Sequence, residues 1–541
     1  MTLSAPFTAL PEQRWLRTTV GMLLALSLGT GCSTLSLSER PALPSFVVAA
    51  PLPTAGLQGN LLPPIESCLA WYAKIDTAID AASVRDASAH RLENFPHLRL
   101  DRFAASFRDQ ARHSPKIMAT LLWYARDLDL ATREKELANL PIAWRGALML
   151  NDLWAIHDAL ERCSQTLVRH DLATPSRLET LLNQWQVPDH YALWKRALGL
   201  YPLTSIPFFQ GVSAWQRSTE KNFSDPLIYN AHQPDLIRYA PATQDAAAVE
   251  LGPQFAASLR NTLGIPQLSE ADWTALLNRY APIFDIETKG EFDRIGQLQF
   301  NPQGQLAINA STPVSYQRIG FTRISGSTHV QLIYSVWFSE RPSQKHLDLL
   351  AGSLDGVTIR ITLDHSGAPL LVDSIHACGC YHLFFPTPRL LPRPQPSSQI
   401  EWAFIPKTLP ALAFGQRVVV RLASGTHYLI DIRPLEANSI DTAQIRYQLH
   451  QDYELQSMPF NDIQQPQERK SVFSPDGLIV GSERGERFLF WPMGISSPGA
   501  MRQWGTHATA FVGIRHFDDA DLIDKRFSVI HQPATQSAPE K

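Results

Sequence analysis

The sequence predicts an α+β protein, with an N-terminal all-α helical domain followed by a larger antiparallel β-domain of the sandwich or barrel-like kind. Apolar residues recur every three or four positions in the first half of the chain and at alternate positions from about Ile283 onward. Helix-like and strand-like stretches are therefore segregated, which favours α+β over an alternating α/β fold. The 541 residues are enough for two or three domains.

Residues 1–31 have the pattern of an export signal. Arg14 and Arg17 precede an apolar stretch from Val20 to Leu28, and small residues follow. A positively charged region, then a short apolar region, then small residues before the cleavage site are typical of such signals. The apolar stretch is well short of the roughly 20 residues that span a bilayer stably. An uncleaved anchor and an ordinary secretory signal are the alternatives.

The end of this segment resembles the lipobox of bacterial lipoproteins, in which a cysteine is acylated and becomes the new N-terminus. Thr30 and Gly31 match the small residues before the modified cysteine, Cys32, whereas Gly29 stands where the family usually has leucine. The resemblance covers about the first 33 residues. It implies a fatty-acyl anchor such as palmitate on Cys32. With Ser33 next, it also implies a place in the cell envelope, at the outer membrane and facing the periplasm.

Residues 32–64 are predicted to form an extended tether. They are rich in serine, leucine and proline and carry almost no charge. Such a composition suits a spacer that lifts the folded body off a membrane.

Residues 65–222 are predicted to be helical. Cys68, Tyr72, Ile75 and Ile79 recur at the spacing of an amphipathic helix. Further helices are predicted, two of them with proline in the first turn after a capping residue, at 115–137, 142–170, 175–186 and 191–200. Residues 223–277 are predicted to be a connecting region interrupted by prolines. A short helix is predicted over 270–280, across its C-terminal boundary.

Residues 278–529 are predicted to form the β-domain. Val357, Ile359 and Ile361 alternate with polar residues, and glycine-containing turns separate about a dozen such runs. Residues 530–541 are predicted to be a disordered tail.

The charges nearly cancel, with 48 Lys and Arg against 51 Asp and Glu. Nothing therefore favours a nucleic-acid partner, and a protein or cell-wall ligand is not identified by the sequence. The motifs of zincin proteases, of serine hydrolases with a nucleophile elbow, of P-loop proteins and of Rossmann proteins are absent from the sequence.

If Cys32 carries lipid, four cysteines remain. Cys68 and Cys163 lie in helical stretches, where they form either a disulfide between two helices or two buried thiols. The other two, Cys378 and Cys380, belong to a denser cluster.

That cluster is His376-x-Cys378-x-Cys380-x-His382, and its donor types are those that zinc and copper prefer. On a straight strand the two histidines would lie ~20 Å apart. The chain must therefore fold back at Gly379, or only some of the four residues can serve one ion.

His507 and His516 are possible additional ligands, and Asp373 and Ser374 could orient an imidazole. A Cys378–Cys380 disulfide and a redox-active dithiol are the alternatives.

Two functions follow from these observations. The first is a non-enzymatic binding or scaffold protein of the envelope, with a possible structural metal site in the β-domain. The second is a metal-dependent, hydrolase-like envelope enzyme that uses the cluster at 376–382. A saturated four-ligand site favours the first function, and three ligands with an open position favour the second.

Overall fold

The computed structural model describes residues 63–148, 153–224, 235–242, 251–397, 399–435, 445–462 and 465–530. The predicted signal, the tether and the tail lie outside these residues, apart from Pro63, Pro64 and Ile530, and Cys32 is outside them too.

Helices dominate the N-terminal half, as predicted. Those before residue 225 are α1 Ile65–Ala81, α2 Arg102–Ala105, α3 Arg108–His113, α4 Pro115–Ala138, α5 Ile142–Ala147, α6 Leu153–Ala173, α7 Pro175–Gln184, α8 Leu193–Leu198 and α9 Tyr201–Ser224. The later ones are α10 Leu251–Ala257, α11 Glu270–Tyr280, α12 Arg487–Phe490 and α13 Leu522–Arg526. Short 3₁₀ turns lie at Glu291–Asp293, Asp452–Gln456 and Trp491–Met493.

The prediction that this half is all-α is wrong in one place. Strands β1 His90–Leu92 and β2 Phe95–Leu100 form an antiparallel hairpin between α1 and α2. The hairpin is held against α4 by a fully buried ion-pair network, in which Arg99 of β2 donates to Asp129 (3.0 Å) and Glu136 (2.5 Å). Since these partners lie 30 and 37 residues further along the chain, no local sequence pattern predicts the hairpin.

The predicted disulfide is confirmed. Cys68 of α1 and Cys163 of α6 are bonded and fully buried, and they are separated by 95 residues. Around them Trp71, Leu137 and Trp144 contribute to one apolar cluster. The bond therefore lies inside the helical core.

The remaining strands lie almost entirely in the second half. They are β3 Leu236–Pro241, β4 Ile283–Glu287, β5 Gln297–Phe300, β6 Leu306–Asn309, β7 Val314–Ile324, β8 Ser327–Arg341, β9 Gly352–Leu363, β10 Pro369–His376, β11 Leu383–Pro386, β12 Leu390–Pro392, β13 Val418–Leu422, β14 Leu429–Pro434, β15 Ile445–Gln451, β16 Met458–Asp462, β17 Gln465–Lys470 and β18 Phe527–Val529.

Ten of these strands form one large sheet, in the order β11-β10-β9-β8-β7-β15-β3-β4-β13-β14. The sheet is mixed rather than antiparallel, because β15 runs parallel to β7 and β3, and β13 runs parallel to β4. Alternating apolar residues report which side of a strand is buried but not its direction, and β15 enters the sheet far along the chain from both its neighbours. The finer prediction of a sandwich or barrel stays a prediction.

The last described segment connects both halves of the chain. Gln503 Nε2 donates to Asp86 Oδ2 (2.6 Å), although the two residues are 417 positions apart. Tyr191 donates its hydroxyl to the carbonyl of Ala510 (2.8 Å), and β18 pairs with β12. The helices and the sheet are therefore joined through residues near the C-terminus.

Candidate functional site

The predicted His/Cys cluster lies at the turn between β10 and β11, at one edge of the large sheet. The chain folds back there, which was one of the two alternatives that the spacing left open, and His376 N donates to the Cys380 carbonyl (3.0 Å) while Gly379 N donates to the His376 carbonyl (2.7 Å). Gly379 has φ +91, which is a left-handed conformation that glycine adopts without cost. A Cβ there would also lie 2.7 Å from the carbonyl oxygen of Ala508, so the turn is pressed against the C-terminal segment.

The turn does not bring the two histidines together. His382 Nε2 donates to Asp373 Oδ2 (2.9 Å), and that carboxylate also accepts from Arg360. His376 instead faces Asp355, with Nδ1 3.6 Å from Oδ1. Residues 373 and 376 lie three positions apart on one strand, so their side chains point to opposite faces of the sheet. Among the described residues no group of three or more His, Cys, Asp or Glu side chains is arranged to bind a metal, so the zinc or copper site stays a prediction.

The two cysteines do lie together. Both are free thiols, and Cys378 is buried whereas Cys380 is partly exposed. A hydrogen bond with the Cys378 thiol and burial together hold the pKa of the Cys380 thiol well above its usual value. The thiolate is the form of cysteine that acts as a nucleophile and as a metal ligand. This arrangement therefore favours the less reactive thiol form of Cys380.

His507 lies beside the cluster and His516 does not. His507 Nε2 donates to the carbonyl of Ala377 (3.2 Å), and burial lowers the pKa of His507 to about 3, so the ring is neutral. The ring of His516 contacts Asp189 (3.2 Å) and Asp519 (3.5 Å) instead. Of the two additional ligands predicted, only His507 therefore contacts the turn, and it does so through the backbone.

A buried network that the sequence did not reveal centres on Asp355 of β9. Its carboxylate accepts from His427 Nδ1 (2.8 Å), and His427 Nε2 lies 3.4 Å from Asp293. The ring of His427 also stacks on Phe338, with 3.8 Å between the ring centres. These residues are spread over 134 positions of the chain, so no local motif could have grouped them.

The network shifts the pKa values of its two histidines in opposite directions. Burial opposes the charge of His427, but the nearby carboxylates of Asp293 and Asp355 outweigh it and raise the His427 pKa. The pKa of His376 is lowered because its burial outweighs the opposing effect of Asp355. Burial works against ionisation of Asp355 too, yet its interactions with His376 and His427 hold its pKa well below the usual range. The result is a His427 that keeps its proton to higher pH than an ordinary histidine, a His376 that loses it at lower pH, and an ionised Asp355 between them.

A small cavity lies between this face of the sheet and α9. It is lined by side chains from β9–β11, from the turn, from β14 and from α9, including Ser374, His376, Tyr381, Tyr428, Trp215 and Thr219. Trp215 closes it by packing against Tyr381, with 5.3 Å between ring centres. His376 Nε2 is buried beside the cavity without a hydrogen-bond partner among the described residues. The space holds about one water molecule, which is too little for a substrate.

A second small cavity on the other side of His376 contains a titratable acid, Glu486. Burial raises the pKa of Glu486 to about 7, although the guanidinium groups of Arg341 and Arg484 oppose the shift. Cys378 lines the same cavity. A carboxyl group that titrates near neutral pH beside a neutral imidazole is suited to proton transfer, but the enclosure of both groups limits what could reach them.

The chain matches no protein-family model, no curated protein and no solved structure. Within the described part of the chain, every helix is too short or too polar to cross a bilayer. The interpretation of the site therefore rests on its own geometry.

Proposed function

We propose that this chain is an exported envelope lipoprotein, anchored through Cys32, with a non-enzymatic binding or scaffold role. The observation that carries the proposal is the buried Cys68–Cys163 disulfide. Such bonds form and persist in oxidising compartments and are rare in the cytosol. An oxidising compartment agrees with the export signal and the lipobox-like segment, and it favours a body that faces the periplasm.

The arrangement of the polar cluster supports a structural role. His382 donates a hydrogen bond to Asp373, and His427 donates one to Asp355. Arg502 donates to the carbonyl of Cys378 (3.1 Å). The contacts of His382 and Arg502 hold the β10–β11 turn to the sheet and to the C-terminal segment, and the contact of His427 joins the start of β14 to β9. A structural zinc or copper ion would have to be held at Cys378 and Cys380, the two predicted ligands whose side chains lie together.

The lipid anchor is tested by expressing the full chain in a bacterium and feeding it an alkyne-labelled palmitate analogue. We expect labelled protein in the outer-membrane fraction, and an N-terminal peptide that begins at acylated Cys32. A Cys32→Ser variant should lose the label, whereas Cys378→Ser, as the matched control, should keep it. Unlabelled protein in the cytosol with its leader intact would contradict the proposal.

The second candidate is a metal-dependent, hydrolase-like enzyme that uses the cluster at 376–382. The observation in its favour is His376 Nε2, which is buried beside a cavity without a described partner. Metal analysis of the purified protein separates the two functions. One equivalent of zinc or copper that is lost in His376→Gln but kept in His516→Gln would favour the enzyme, and metal-free protein would exclude it.

A further inference from the structure

Seven exposed apolar side chains lie on three neighbouring elements. These elements are α8 with its link to α9, the first turns of α9, and α12. We call this set the apolar helix surface. Each of its members exposes between 50% and 70% of its area, and they are Leu193, Trp194, Leu198, Leu200, Leu203, Ile206 and Phe488. Exposed apolar side chains that gather on neighbouring elements, rather than lying scattered singly, mark surfaces that bind a partner or a membrane. No described segment of the chain covers it.

The backbone beneath the apolar helix surface is rigidly held, so the exposure is built into the fold. Arg196 of α8 donates to the carbonyls of Met493 (2.8 Å) and Gly513 (2.6 Å), and its guanidinium lies between the rings of Tyr191 and Tyr201. At Gly199 the backbone approaches so closely that a Cβ would lie 2.4 Å from the side chain of Pro492. The apolar side chains therefore project outward from a fixed base.

We propose that the apolar helix surface rests on the lipid bilayer, with its side chains buried at the boundary between headgroups and acyl chains. The segment 193–224 has the composition of an interfacial element. Apart from Arg196, whose guanidinium is held by the carbonyls of Met493 and Gly513, it contains the basic residues Lys195, Arg217 and Lys221 and one acidic residue, Glu220. Interfacial helices that bind anionic lipid surfaces combine exposed leucine and tryptophan with an excess of basic charge.

The tether is long enough for this contact. This step rests on the proposed function, because it takes Cys32 as the anchored residue. Thirty residues separate Cys32 from Pro63, where the described chain begins. At no more than ~3.6 Å per residue they reach about 100 Å, and they hold the body at a high effective concentration next to the bilayer. A weak interfacial surface is therefore sufficient to orient the body.

The test uses the mature protein reconstituted into vesicles of phosphatidylethanolamine and phosphatidylglycerol, with and without bromine on the acyl chains. Bromine quenches tryptophan that lies at acyl-chain depth. We expect quenching that disappears in Trp194→Phe, and that falls at least about fivefold in a variant with Leu193→Ser, Leu198→Ser and Leu203→Ser. The matched control is Leu259→Ser, because Leu259 is also highly exposed (77%) but lies in the loop 259–267, which contacts Thr328 of β8, and it should be quenched like the wild type.

Two results would overturn the proposal. Equal emission in both kinds of vesicle would show that the surface is not at acyl-chain depth. A concentration-dependent dimer in ultracentrifugation that the triple variant abolishes, without quenching, would assign the surface to a second copy. Mass spectrometry of Cys32 on the same sample separates this failure from failure of the lipoprotein proposal, since the acyl group is present or absent whatever the quenching shows.

Discussion

Removal of the Cys68–Cys163 disulfide should destabilise the protein strongly. The bond closes a loop of 95 residues, and in the chain-entropy account such a loop contributes about 4.7 kcal/mol at 25 °C. Replacement of both buried cysteines by alanine removes little side-chain volume, so the entropic contribution should dominate. Because the net stability of proteins is about 5–15 kcal/mol, the expected loss is a third of the total or more.

The assay is urea unfolding followed by tryptophan fluorescence, for which Trp71 beside the bond is a reporter. The double variant Cys68→Ala, Cys163→Ala should lose about 3–5 kcal/mol, and a reductant should lower the stability of the wild type similarly. The matched control is Cys378→Ser with Cys380→Ser. This variant keeps the bond, so the reductant should still destabilise it.

Either of two results would refute this reasoning. If peptide mapping of protein from its native compartment finds two free thiols, the inference of an oxidising compartment loses its support. If the bond is present but its removal costs less than about 1 kcal/mol, the entropic account fails for this chain.

Three further outcomes are expected from the buried charges. A histidine whose pKa is raised on folding stabilises the fold fully below its unfolded pKa of about 6.5, and this stabilisation is lost as pH rises through the folded pKa. In urea unfolding, His427→Gln should therefore destabilise the protein more at pH 5.5 than at pH 8.5. Glu486 has its pKa raised from 4.5 to about 7, so it lowers stability as pH rises through that interval, and in calorimetry Glu486→Gln should remove this slope. Arg99→Met leaves Glu136 without its closest partner and should cost about 3–5 kcal/mol in urea unfolding, whereas Lys525→Ala, in an exposed ion pair, should cost under about 1 kcal/mol.

Much of the secondary structure could be predicted from local patterns. The short helix predicted over 270–280 has those bounds, and the helix predicted from Pro115 starts there because the Ser114 hydroxyl accepts from the Ile117 N–H. The pattern could not reveal the hairpin at 90–100, since its partners lie on α4. Nor could it reveal the parallel strands, because period-two alternation carries no direction.

The candidate site was predictable only where it is local. The fold-back at Gly379 was one of two alternatives that the reach of a straight strand left open, and the contact between His382 and Asp373 fits the suggestion that Asp373 orients an imidazole. The grouping of Asp355, His427 and Asp293 could not be predicted, because it arises from sheet topology. The alternation of the four donors from His376 to His382 suggested one shared site, but the sheet places the two histidines on opposite faces.

The contacts of Gln503 with Asp86 and of Ala510 with Tyr191 have a consequence for biosynthesis. A chain synthesised from its N-terminus completes residues 86 and 191 hundreds of positions before their partners at 503 and 510 exist. Assembly of the two halves must therefore wait until the whole polypeptide is available. A nonsense mutation that removes only the last forty residues would leave a product that proteases can degrade rather than a shortened working protein.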